Sequence, residues 1–145
     1  MTSQIILRLA LLGVLYFAIA LCTGAAMGIL RELLLAPQFG KVTALLLELP
    51  IVLTLLWYAS RLIYFPATRK VYSLQGLILS GGLALVTLLL ADWLIGVLAL
   101  GRTQEAILQH WGTTVGVIGL AAQILFGAFP ALQGLLAQRS RDYDY

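Results

Sequence analysis

The sequence predicts an all-α fold: a polytopic membrane protein with four transmembrane helices in one bundle and both termini in the cytoplasm. Three observations predict it. Of its 145 residues, 61% are hydrophobic and only 10% charged, against roughly 45–50% and about 25% in soluble domains. The apolar residues stand in four long blocks, close to or beyond the about 20 residues a helix needs to cross a hydrocarbon core of about 30 Å. No block alternates polar and apolar residues as a barrel strand does.

The first helix is expected at about 9–35, where an apolar run to Leu30 is followed by Arg31, Glu32 and a short leucine tail. Arg8 and the Ala18-Ile19-Ala20 triplet imitate a cleavable signal. The run nonetheless exceeds a signal core of about 7–15 residues, and Leu21 before Cys22 argues against lipoprotein processing, so a retained helix is expected. Pro37 and Gly40 mark the turn that follows.

The second helix, about 42–60, carries Glu48 and Pro50 and ends in Trp57-Tyr58. Arg61, Pro66, Arg69 and Lys70 then form a basic connection. The third, about 74–100, contains Asp92, and Gly101, Arg102, Gln104 and Glu105 make a polar link to the fourth. That helix, about 113–136, holds Gln123 and Pro130. Residues 1–137 thus form the transmembrane domain and 138–145 a polar cytoplasmic tail, expected to be disordered.

Orientation follows from the excess of Lys and Arg in cytoplasmic loops. One side receives Arg8, Arg61, Arg69, Lys70, Arg139 and Arg141, the other Arg31, Lys41 and Arg102, six against three. Trp57, Tyr58, Tyr64, Tyr72 and Trp111 fall near the interfaces, as an aromatic belt would.

The candidate site is a set of ionisable residues within these spans, where each costs about 2.5–3.5 kcal/mol on insertion scales and therefore faces protein or water. At a rise of about 1.5 Å per residue, Glu48 lies roughly 9 Å and Asp92 roughly 12 Å below the outer helix ends, at the level of Arg31 and Glu32. Gln123, roughly 15 Å into the fourth helix, reaches the lower edge of the same cluster. Gly13, Ala20, Gly24, Gly28 and Arg31 share one face of the first helix, and Gly24 with Gly28 makes a small-xxx-small pair suited to close packing. Gly112, Gly116, Gly119, Gln123 and Gly127 repeat the device on the fourth.

Several functions are disfavoured. A net charge of +3 without a basic stripe argues against nucleic acid as a partner. A single cysteine and a single histidine provide neither a disulfide framework nor a metal-ligand spacing, so no metal and no cofactor are expected. With no nucleophile beside a base and no phosphate-cradling loop, an enzyme is not expected. His110-Trp111 is read as an ordinary interfacial pair and Pro50 as a kink.

The stretch Gly28, Arg31, Pro37, Gly40 followed by Leu47-Glu48-Leu49-Pro50 resembles that of small uncharacterised bacterial membrane proteins with four helices. The resemblance spans about the first half of the chain. It implies a multi-pass protein of the bacterial inner membrane and brings no activity with it. Two expectations remain. The first is an accessory or structural subunit, in which Arg31 neutralises Glu48 or Asp92 and the partners are lipids, other transmembrane subunits or copies of itself. The alternative is a small oligomeric proton- or cation-coupled transporter or channel using Glu48 and Asp92, favoured by three carboxylates against one guanidinium.

Overall fold

The structure, a computed structural model, describes residues 3–65 and 72–142. Pro66, Arg69 and Lys70 of the predicted basic connection lie outside the described residues, as does the end of the tail from Tyr143. All secondary structure among the described residues is helical. Among the described residues four helical segments are long and apolar enough to cross a membrane, the pattern of a multi-pass membrane protein.

Helix α1 (Ser3–Leu30) runs straight into a π-helical turn at Arg31–Leu35 and a last α-turn at Ala36–Phe39. In the π-turn the Ala36 N–H bonds to Arg31 O, five residues back. Pro37, which has no N–H to donate, is tolerated because it opens the new turn. Gly40, at φ +78°, reverses the chain as predicted. Helix α2 (Lys41–Tyr64) carries Pro50 internally.

Helix α3 (Leu74–Leu94) is capped by Ser73, whose Oγ accepts from Gly76 N at 3.2 Å. It also passes into a π-turn, Ile95–Ala99, closed by Leu100 N–H on Ile95 O at 3.1 Å. The predicted polar link then forms a short helix of its own, α4 (Gln104–Trp111), capped by Thr103 Oγ1 on Ala106 N at 3.2 Å. Helix α5 (Thr114–Asp142) follows at once, because Thr113 both closes the turn on His110 O and caps Gly116 N. α5 continues to Asp142, so 138–142 is helix where the sequence suggested a disordered tail.

The long helices form a ring in the order α1, α3, α5, α2. Consecutive α2 and α3 therefore face each other across the bundle. Ser3, Tyr64, Leu74 and Asp142 share one end, called here the terminal end; Arg31, Lys41, Ile95 and Thr114 lie toward the other, the far end. Leu33, Leu62, Leu79 and Leu98 stand on the outside, where lipid rather than water suits them.

The terminal half encloses a buried polar column. Tyr64 donates its hydroxyl proton to Ser80 Oγ at 2.7 Å, because Ser80 uses its own proton on Leu9 O, also at 2.7 Å. Ser60 donates to Gln133 Oε1 at 3.1 Å, and Gln133 Nε2 donates to Trp57 O at 2.8 Å. Tyr16, fully buried, stacks on Phe126 with centroids 4.3 Å apart and meets Tyr64 edge-on at 5.8 Å. Its hydroxyl reaches Phe126 O at 3.1 Å and Leu56 O at 3.4 Å.

The bond to Phe126 O has a definite cause. That carbonyl would ordinarily accept from residue 130, and Pro130 has no N–H. Tyr16 thus satisfies a carbonyl that would otherwise be orphaned in an apolar interior. Tyr16→Phe is expected to destabilise the protein by about 1–3 kcal/mol. The same change in a Pro130→Ala background should cost clearly less, since an alanine at that position supplies the missing donor. Unfolding in mixed micelles would measure both, and equal losses would refute the assignment.

Close helix approach occurs at only some of the expected glycines and at others besides. A Cβ on Gly81 of α3 would collide with the backbone oxygen of Gly127 on α5, and one on Gly127 would meet Leu85 Cβ at 2.9 Å. A Cβ on Gly13 would meet Ser80 O at 2.9 Å and one on Gly134 would meet Leu77 Cδ1 at 2.6 Å. Of the predicted packing residues, Gly127 serves as expected, whereas Gly116 lies against the backbone of His110 and Trp111 at the end of α4. Gly112 meets only Gln109 and Leu108 of that same helix. Gly24, Gly28 and Gly119 have nothing within 4 Å of an added Cβ, so none makes the close helix contact expected of it; Gly24 and Gly119 instead border a cavity at the far end. The small-residue pattern marks a face, but the partner helix decides whether that face is covered.

Candidate functional site: a charged cavity at the far end

Above the polar column the ring opens into a cavity of about 510 Å³. Its lower wall includes Leu56 and Phe126, whose carbonyls Tyr16 holds from beneath. Leu45, Leu53 and Leu88 add apolar surface, while Arg31, Glu48, Asp92 and Gln123 supply polar groups. Four of the five residues proposed as a cluster thus line one space.

Each is placed by its helix. Arg31 opens the π-turn of α1, and its Nη1 donates to Glu48 Oε2 at 3.2 Å. Glu48 lies two turns into α2 and is only 6% exposed, so the guanidinium is the group that compensates it. Arg31 Nη2 also reaches Glu32 Oε1 at 3.5 Å. Glu32, with 55% of its side chain exposed, does not line the cavity and is the cluster member that the sequence misplaced. Such an exposed pair contributes about 0–1 kcal/mol at most.

Asp92, in the last turn of α3, accepts a hydrogen bond from Gln123 Nε2 of α5. Arg31 is not within ion-pair distance of it, so the site consists of two separate pairs, one ionic and one acid–amide, sharing a cavity. The π-turns flank this site on two sides: one begins at Arg31 and the other starts three residues after Asp92. π-turns of this kind occur often at functional sites.

The sequence reading overlooked four further lining residues: Trp93, Arg102, His110 and Trp111. Arg102 is held at the rim by its N–H on Gly96 O at 3.0 Å. His110 and Trp111 arrive on α4, which packs against α5. Thr103, a capping residue followed by helix formers, was the available signal for α4. Among the described residues no three His, Cys, Asp or Glu side chains gather in a way that would hold a metal ion.

Fold and site together define a protein of four long apolar helices with a charged cavity between them. Compared with family models, with curated proteins and with solved structures, the chain matches none.

Proposed function

We propose that this is a non-enzymatic transport protein of the bacterial inner membrane, in which the far-end cavity binds a small polar solute and Glu48 and Asp92 take part in its movement or in proton coupling. The observation that supports this reading is the cavity itself. Its size falls within the roughly 300–1,000 Å³ of small-molecule sites, and it combines an apolar wall with convergent charged groups in a region where unused charge is costly. Helices interrupted beside the site are a recurrent feature of transporters. The six-to-three charge bias favours both termini in the cytoplasm and the cavity in the outer half of the membrane. Four helices leave little room for both a wall and a pathway, so an oligomer is expected to be the working unit.

Proteoliposomes enclosing a pH-sensitive dye test the coupling. Purified protein is expected to carry protons down an imposed gradient, and the Glu48→Gln/Asp92→Asn double variant to reduce the rate to the protein-free leak. Undiminished flux in that variant would refute the proposal.

One observation favours a second reading, an accessory subunit of a larger membrane complex. Gly28 on α1 has nothing within 4 Å of an added Cβ and does not line the cavity, and a small uncovered residue of this kind admits the close approach of a foreign helix. That reading replaces proton flux with stoichiometric co-purification of a larger complex in mild detergent.

A further inference from the structure

Two charges in the cavity have no counter-charge among the described residues. Arg31 and Glu48 compensate each other at 3.2 Å. Asp92 receives only the amide of Gln123, with no cation at ion-pair distance among the described residues. Arg102 likewise has no carboxylate at that distance among the described residues, although its backbone is fixed at the cavity rim. The site therefore offers one free carboxylate and one free guanidinium within a single space. Two indoles, Trp93 and Trp111, share the lining, and indole faces attract ammonium groups through their quadrupole.

Both side chains are exposed to the space they line rather than enclosed by protein, so each is open to a ligand. A guest with one charge would engage only Asp92 or only Arg102, and a neutral guest would engage neither by charge. Resting on the reading of this cavity as a solute site, we infer that its ligand is a small zwitterion: an ammonium group set against Asp92 and the indoles, and a carboxylate or phosphate set against Arg102. Charge-assisted hydrogen bonds suit the second contact, and a guanidinium favours planar or phosphate oxyanions. A free solute such as a betaine and a zwitterionic phospholipid headgroup share this chemistry.

The test uses the full chain in nanodiscs of phosphatidylglycerol alone, so that the bilayer contributes no zwitterion. Equilibrium dialysis is run with radiolabelled glycine betaine, phosphocholine, choline, inorganic phosphate and acetate, and with dihexanoylphosphatidylcholine as the lipid arm. The better zwitterion is expected to bind at least about tenfold more tightly than choline or than either anion. Asp92→Asn and Arg102→Gln should each weaken it by about tenfold or more, with Arg102→Lys retaining most of the affinity. Dihexanoylphosphatidylcholine binding far more tightly than phosphocholine identifies a headgroup, and equal affinities identify a free solute; either outcome supports the zwitterion.

Choline or an anion binding as well as the zwitterions overturns the inference while leaving the cavity as a solute site. Binding unaffected by Arg102→Gln has the same effect. If no member of the panel binds, the zwitterion and the solute-site reading both fall. The comparison among ligands needs only the unaltered protein, so it stands even where a variant does not fold.

Discussion

Arg31→Ala is expected to destabilise the protein by about 3–5 kcal/mol, the cost of stranding one member of a buried ion pair. The reason lies in Glu48, whose carboxylate is almost wholly enclosed and takes its charged hydrogen bond from Arg31 at 3.2 Å. Removing the cation leaves the anion without compensation in an apolar surround. Replacing both residues, as in Arg31→Met/Glu48→Leu, should recover most of the loss, because a well-packed apolar pair of similar volume is often as stable as the ion pair it replaces. Glu32→Ala should cost at most about 1 kcal/mol, since that contact is longer and exposed. Unfolding titrations of these variants beside the unaltered protein in mixed micelles give the coupling directly. A double variant as unstable as the sum of its singles would show that the two charges do not hold each other.

Gly81→Ala and Gly82→Ala should move stability in opposite directions, although the two residues are neighbours on α3. At Gly81 an added methyl group meets the backbone oxygen of Gly127, which belongs to a helix and cannot turn aside. Pro130 Cγ stands 3.4 Å from the same point. The helices must separate, and overpacking of this kind costs about 1–3 kcal/mol; Gly81→Val should cost more. At Gly82 there is nothing within 4 Å, so alanine there adds helix propensity of about 0.8–1 kcal/mol without a clash. Thermal unfolding of the two variants in one detergent decides the matter. Equal tolerance at both positions would mean that α3 and α5 do not cross where Gly81 faces Gly127.

The long helices were legible because their signal is collective: some twenty apolar residues in a row leave few alternatives to a membrane crossing. That Arg31 neutralises Glu48 or Asp92 was legible too, since helix rise alone brings all three to one depth and a buried charge requires an opposite one; that Glu48 is the partner, at 3.2 Å, was not. Other features were hidden because they depend on which helix neighbours which. Gly24 and Gly28 satisfy the small-residue pattern yet meet no neighbouring helix, Gly24 bordering the cavity instead, whereas Gly81 and Gly127, on different helices, make the tight crossing. No spacing within either helix announces that pair. The polar column escaped notice for a similar reason. Tyr16, Ser60, Ser80 and Gln133 are scattered through apolar stretches, and their partners are largely backbone carbonyls, which every residue possesses. Pro130 was the usable clue, because a proline inside a helix leaves a carbonyl in search of a donor.

The π-turns at Arg31–Leu35 and Ile95–Ala99 have a further consequence for how such a protein can change. A π-turn holds one residue more than the α-helix would over the same rise, so everything beyond it is rotated by about 100° relative to an unbroken helix. Losing or gaining a single residue there swings the collar around the mouth while the tyrosine-lined half below keeps its register. The collar around the cavity and the structural stem are thereby separable by one codon, and on the solute-site proposal variation in what the mouth admits would be found first as one-residue indels at these two turns.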